Sequence, residues 1–220
     1  MKDTIRDIRS RLRLSMNGVV STSMREQGLD YKLNFGVSLP KIKEIAASYP
    51  PDAALAELLW KEDVRELKIL ATLLQPVSSF KQEQAERWTG EVRHQEIAEQ
   101  YAMNLLQHLP FAEELAAAWI MRKEEYVPVV GFLLYARLCV AGASLERLHA
   151  EALIREARKA MDGGVSRLQR AALLALKRYG RQSAGQAKAV LESIADYASS
   201  DFPERQEFLN DLKFEFEYYH

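Results

Sequence analysis

Apolar residues recur at helical spacing along the whole 220-residue chain, and no stretch alternates between apolar and polar residues as a half-buried strand does. Helix starts are indicated where a capping residue stands three positions before Glu or Gln. Four segments have this pattern: "DVRE" (63–66), "SFKQ" (79–82), "SRLQ" (166–169) and "DFPE" (201–204). Helix ends are indicated by Pro76, Pro110, Gly142 and Gly180. The chain is therefore predicted to be all-α, with short helices and short loops.

A weak internal repeat indicates how these helices pack. Trp60, Trp88 and Trp119 each precede a short polar link and a helix that ends in Leu-Leu. The segments "DVRELKILATLL" and "VSRLQRAALLALKRYG" are typical of the second helix of a HEAT repeat. Because such helix pairs cannot bury their apolar faces alone, they stack on one another. We predict a right-handed solenoid of HEAT-like antiparallel helix pairs, a single domain over 1–220, with the tryptophans packed at repeat junctions.

Composition and the amino terminus bear on the compartment. The single cysteine, Cys139, lies in an apolar helical segment and cannot form an internal disulfide, which fits a reducing cytoplasm. The segment "MKDTIRDIRSRLRL" lacks the apolar stretch of a signal peptide, and no apolar run reaches the length of a membrane span. These features predict a soluble cytoplasmic protein with no membrane partner.

The formal net charge of -1 does not point to nucleic acid, but it conceals an asymmetry. A basic block at 155–188 is followed by an acidic segment at 192–220. On the helix after Ser166, an apolar stripe is formed by Leu168, Ala171, Ala172, Ala175 and Tyr179. Basic residues lie beside it, where a row of them could neutralise the phosphates of a duplex. The row consists of Arg167, Arg170, Lys177, Arg178 and Arg181. The alternatives are a solvated row and a row paired with the acidic segment.

The acidic segment also has a helical pattern of its own. Its last part, "DLKFEFEYYH", is rich in aromatic residues. Phe208, Leu212, Phe216 and Tyr219 fall on one helical face. We therefore predict a docked, acidic and aromatic terminal helix within 200–220.

Chemistry-bearing motifs are scarce. The four histidines are dispersed without metal-ligand spacing, and the sequence contains neither a glycine-rich phosphate loop nor a nucleophilic serine elbow, so we predict no metal and no cofactor. The carboxylates of "RHQEIAEQY" (93–101) are then the reactive candidates. Glu96 and Glu99 stand three apart and share a helix face. They are either a reactive pair or an ordinary solvated surface.

Two motifs carry a resemblance to a known family. These are "NFGVSLPKIKEIA" (34–46) and "ALAELLWKEDVRELKILATLL" (54–74), with "RAALLALKRYG" as a third, weaker match. Over most of its length the chain resembles the DNA alkylation repair family, the AlkD-like HEAT-repeat proteins. The resemblance implies a concave basic face that holds duplex DNA. It also implies a carboxylate near the deoxyribose of a cationic N-alkylpurine, which the glycosylases of the family excise.

Some of the family's functional residues have a counterpart in this sequence, and others are replaced. The family's active helix begins Asn-Trp-Asp-x-x-Asp, and "HQEIAE" (94–99) aligns with it. Glu99 then falls on the catalytic acid and Glu96 on a supporting acid, each one methylene longer. Three further family residues are replaced: the tryptophan by Gln95, the phosphate-holding arginine by Val129 or Val130, and a late tryptophan by Leu174. A carboxylate without its positioning residues loses much of its effect.

Three functions follow as hypotheses. The first is a glycosylase that acts through Glu99. The second is a non-catalytic solenoid that binds DNA or another phosphate-rich partner through the 155–188 block. The third is a scaffold for a protein partner, with the acidic tail or a groove as the interface.

Overall fold

The computed structural model describes residues 1–219, in which thirteen α-helices and three 3₁₀ helices occur and no strand does. The α-helices are α1 (Lys2–Leu14), α2 (Gly18–Glu26), α3 (Leu39–Ala46), α4 (Ala53–Trp60), α5 (Arg65–Leu74), α6 (Gln82–Gly90), α7 (Gln95–Asn104), α8 (Ala112–Trp119), α9 (Val127–Val140), α10 (Arg147–Asp162), α11 (Ser166–Gly180), α12 (Ala184–Ser193) and α13 (Pro203–Tyr219). The 3₁₀ helices span Val77–Ser79, Leu106–His108 and Ala195–Ser199. The all-α prediction is confirmed, and helices end close to the predicted prolines and glycines.

The helices form two compact units. The first comprises Met1–Arg87 with Asn104–Leu109, and the second comprises Trp88–Met103 with the chain from Pro110 onward. The chain passes from one unit to the other inside α6, at the end of α7 and after Leu109. The single domain expected over 1–220 stays a prediction.

In the first unit, α5 packs against α3 and α4. At its start, Arg65 and Glu66 are both buried. The Glu66 carboxylate accepts hydrogen bonds from the backbone N–H groups of Phe35 (3.1 Å) and Val37 (3.2 Å). Arg65 donates to the Val37 carbonyl (2.8 Å) and to Glu66 (3.0 Å). This clamp satisfies backbone groups that burial would otherwise leave unpaired.

Gly36 lies in the middle of the clamped segment and is required there by its conformation. Its φ of +68° is left-handed, and a Cβ at this position would lie 2.3 Å from the carbonyl oxygen of Asn17. The amino end of α2 therefore packs directly on the glycine backbone, which a larger residue would prevent.

The capping predictions at residues 63 and 166 were wrong. α5 begins after Val64 and α11 after Val165, and neither helix has a side-chain cap. Polar side chains of these two motifs bind backbone groups outside their own helix instead. Asp63 accepts a hydrogen bond from the Lys32 N–H (3.1 Å), and Gln169, the last residue of the 166–169 motif, donates one to the Met161 carbonyl (2.8 Å). Side-chain caps occur at Asn17, Asp52 and Ser183.

In the second unit, α11 packs against α9, α10, α12 and α13. Its buried face carries Ala171, Ala172, Ala175 and Tyr179, as the apolar stripe predicts. The small alanines allow neighbouring helices to approach closely. Gly180 continues this face, because a Cβ there would lie 2.2 Å from the Phe216 ring of α13.

The three tryptophans are fully buried, in agreement with a packing role. Cys139 is buried as well, and burial together with the nearby Glu113 raises the pKa of its thiol to about 12. None of the helices within residues 1–219 is long and apolar enough to cross a membrane.

The terminal helix α13 docks through a face slightly different from the predicted one. Leu209, Leu212 and Phe216 are buried. Phe208 is only partly buried and Tyr219 is 48% exposed. The docked face therefore keeps Leu212 and Phe216 of the prediction and includes Leu209 in place of Phe208 and Tyr219.

Candidate functional site

The basic residues of α11 and of the position just after it lie on the side opposite its buried face. Arg170 is exposed, and the other four are partly buried. The complete row is Arg167, Arg170, Lys177, Arg178 and Arg181. The buried alanines define which side of α11 faces the protein interior. At helical spacing, the five basic residues then fall together on the other side.

The carboxyl end of this row is engaged by the acidic helix α13. Lys177 Nζ lies 2.6 Å from Asp211 Oδ1 and 3.8 Å from Glu215 Oε2. Arg181 forms an ion pair with Glu215, and its guanidinium lies 3.7 Å from the centroid of the Tyr219 ring. Glu215 is largely buried between them. Two of the five cations are therefore neutralised within the protein.

The amino end of the row is engaged in a similar way. Arg167 lies 2.6 Å from Glu125 Oε1, and its guanidinium stacks 5.2 Å from the Tyr126 ring centroid. Both partners stand in the connection before α9. No periodic pattern predicts this contact, because a loop residue can meet a helix at any separation along the chain.

The part of the row between its two ends is accessible to an external anion. Neither Arg170 nor Arg178 makes an ion pair within residues 1–219. Leu174, in the position of a family tryptophan, is one helical turn from each of them and partly buried. Along the helix axis the two arginines are about 12 Å apart. The positive charge available to an external anion is thus concentrated at this pair.

Glu99 lies on α7 with its side chain exposed, and Glu96 on the same helix is partly buried. The Gln95 amide donates to Glu99 Oε1 at 2.9 Å. The other side of α7 carries the buried Ile97 and Tyr101. Glu99 is therefore oriented by a neighbour one turn away and is accessible to a ligand.

Other parts of the family's catalytic arrangement have no substitute here. Val129 and Val130 are both fully buried, so neither position can hold a phosphate.

Within residues 1–219 no group of three or more His, Cys, Asp or Glu side chains could hold a metal ion. His149 Nδ1 lies 2.8 Å from Glu113 Oε1, where it links α10 to α8.

Comparison with known proteins adds independent findings. The sequence matches the family described as DNA alkylation repair enzyme over residues 8–210. No curated protein matches it.

Among solved structures, one belongs to a family related to the HEAT-like repeat DNA glycosylases with affinity for branched DNA structures. It superposes with a TM-score of 0.76 at 15% identity, covering 87% of this chain and 82% of its own. At this identity the likeness shows the fold, which is HEAT-like. A designed armadillo repeat protein (TM-score 0.43, 12% identity, 96% and 98% covered) is too distant in structure to carry an argument.

Proposed function

Because this chain belongs to the DNA alkylation repair enzyme family, we propose that it binds the phosphate backbone of duplex DNA through the open face of α11. The observation that carries the proposal is the pair Arg170 and Arg178, which lie on the side of α11 away from its buried face and have no acidic partner within residues 1–219. Guanidinium groups bind phosphate oxygens in a bidentate manner, so this pair suits a nucleic-acid backbone.

The three other basic residues of the row can contact DNA only after they release their acidic partners. Arg167, Lys177 and Arg181 already face carboxylates, so a phosphate must replace a carboxylate before any of them contacts DNA. The similar structure with affinity for branched DNA supports nucleic acid as the partner over other phosphate-rich molecules. The branched form itself is a property of that protein.

The proposal is tested with the double variant Arg170→Gln/Arg178→Gln. Each lost phosphate contact lowers the slope of log affinity against log salt by about 0.9, so the double variant should lower it by about 1.8. Fluorescence anisotropy of a labelled duplex, titrated at several salt concentrations, measures both affinity and slope.

The matched control is Arg147→Gln/Lys188→Gln, which removes the same charge from exposed positions of α10 and α12. We expect a near-normal slope in this control. An unchanged slope in the α11 variant, or equal losses in both, would exclude the open face of α11 as the binding surface.

A second candidate function, excision of cationic N-alkylpurines, is favoured by the exposed and oriented carboxylate of Glu99. In such a reaction the N-glycosidic bond breaks, the cationic base leaves neutral with the bonding electrons, and water adds to the sugar and releases a proton to solvent. The Glu99 carboxylate would stabilise the oxocarbenium ion and position the water, with Glu96 in support. Gln95, Val129 and Val130 supply neither an aromatic wall nor a phosphate clamp, so we expect little or no release.

The excision assay measures methylated purine released from a methylated duplex. It compares the wild type with Glu99→Gln and Glu96→Gln. If the wild type releases base, Glu99→Gln should lower the rate on the order of a hundredfold, and Glu96→Gln should lower it less. Robust release that survives Glu99→Gln would remove Glu99 from the mechanism.

The protein-scaffold hypothesis also has an observation in its favour. α13 packs on α11 and occupies two of the five basic side chains. A protein partner remains the alternative if no duplex binding is measured at low salt.

A further inference from the structure

The first helix carries a second row of basic residues on one face. Lys2, Arg6, Arg9 and Arg13 are separated by four, three and four positions, a spacing that aligns them within a narrow stripe of an α-helix. The buried side of α1 consists of Ile8 and Leu12, which are fully inaccessible. The stripe is therefore turned toward solvent by the packing of the helix itself.

Acidic partners engage two of the four basic residues of this stripe. Arg6 lies 2.9 Å from Asp3, but both side chains are more than 80% exposed, and an exposed pair of this kind contributes little. Arg9 lies 3.0 Å from Glu62. Lys2 and Arg13 form no ion pair within residues 1–219.

The other acid of the helix is held on a different flank. Asp7 accepts a hydrogen bond from the Tyr49 hydroxyl and pairs with Arg11 at 3.0 Å. These two contacts lower the pKa of the Asp7 carboxyl. The Arg11 guanidinium stacks 5.6 Å from the Tyr49 ring centroid. Asp7 is therefore engaged by Arg11 and Tyr49 away from the stripe, which stays basic.

We infer that this stripe of α1 is a second binding site for the nucleic-acid phosphate backbone, an inference that rests on the proposed function. A groove of about 360 Å³ runs along it, lined by the four basic residues together with Ile5 and Ser10. Phosphate oxygens are the expected ligand class, because every polar side chain that lines the groove is a hydrogen-bond donor.

The dimensions of the stripe suit a strand of DNA. From Lys2 to Arg13 the helix rises about 16 Å. One strand of a duplex completes a turn in about ten phosphates, so a straight stripe of this length faces only about two or three phosphates, those nearest to it. Lys2, Arg6 and Arg13 can therefore contact phosphates without a change in the helix, whereas a phosphate must replace Glu62 before Arg9 contacts one.

An anionic membrane would attract the same charge, but the apolar groups of α1 are wrongly placed for it. A helix that lies in a membrane inserts its apolar face, and here that face is buried within the first unit. The exposed Leu14 is about 100° around the helix from Arg13, so it does not extend the stripe.

The test is the double variant Arg6→Gln/Arg13→Gln in the full chain. Arg9 is left in place because its pair with Glu62 ties α1 to its own unit. Affinity for a labelled duplex should fall by about 60-fold at 0.1 M salt, and the salt slope should fall by about 1.8. Circular dichroism and thermal unfolding should match the wild type.

Two further variants make the result specific. Arg147→Gln/Lys188→Gln serves again as the charge-matched control. Arg170→Gln/Arg178→Gln separates the two proposals, since a loss with that variant and none with the α1 variant would overturn the α1 site alone. No duplex binding by the wild type would overturn both.

Co-sedimentation with phosphatidylserine-containing vesicles addresses the membrane alternative. We expect no α1-dependent vesicle binding. Vesicle binding that the α1 variant abolishes, with duplex affinity unaffected, would replace nucleic acid by membrane as the ligand of the stripe.

Discussion

The contact between α13 and α11 predicts that removing two carboxylates will strengthen DNA binding. In the double variant Asp211→Asn/Glu215→Gln, side-chain size is kept while the charges facing Lys177 and Arg181 are lost. Each released cation that reaches a phosphate adds about 0.9 to the salt slope, so two would strengthen binding up to about 60-fold at 0.1 M salt.

The cost in stability should be small enough for the variant to fold. The affected cations are 20% and 24% exposed, and ion pairs near the surface contribute about 0.2–1 kcal/mol each. The loss should therefore be about 1–2 kcal/mol in the free energy of unfolding. Leu209, Leu212 and Phe216 still hold α13 in place through apolar burial.

Anisotropy titrations at several salt concentrations are the assay, and the control lies on the same helix. Glu204→Gln/Glu207→Gln changes the net charge equally at exposed positions of α13 that have no ion pair within residues 1–219. If both variants strengthen binding equally, only the overall charge matters. If neither does, Lys177 and Arg181 do not contact DNA even when released.

Two further predictions concern the interior. Glu66→Ala should lower the free energy of unfolding by about 3–5 kcal/mol in urea denaturation, because it removes the carboxylate that faces the buried Arg65 guanidinium and that accepts from two buried backbone N–H groups; a loss below 1 kcal/mol would contradict the role given to the clamp. The Cys139 thiol should resist iodoacetamide at pH 8 in the folded protein and react in denaturant, since its pKa of about 12 leaves almost no thiolate; rapid labelling under native conditions would contradict its burial.

The features that could be predicted from the sequence are those set by local periodicity. The helical pattern of Ala171, Ala172 and Ala175 determines which side of α11 is buried, and hence on which side Arg170 and Arg178 lie. The same reasoning places Glu96 and Glu99 together on α7. None of these inferences requires knowledge of a distant residue.

The features that sequence reasoning left open or missed depend on contacts far along the chain. Whether the acidic segment would pair with the basic row was undecided, because Lys177 and Asp211 are 34 positions apart. The failed caps have the same cause, since Asp63 binds the backbone of Lys32 and Gln169 turns inward. Glu125, the partner of Arg167, lies in a loop that no periodic pattern describes.

The clamp of Arg65 and Glu66 on the segment 33–37 has a consequence for ancestry. In the motifs "NFGV" and "DVRE", which carry the family resemblance, the side chains of Arg65 and Glu66 hold a buried loop by hydrogen bonds to its backbone. Because changes in these motifs would destabilise the interior, selection for stability preserves them whether or not the protein keeps a reactive carboxylate elsewhere. A protein of this family can therefore lose catalysis and still match the family's sequence motifs.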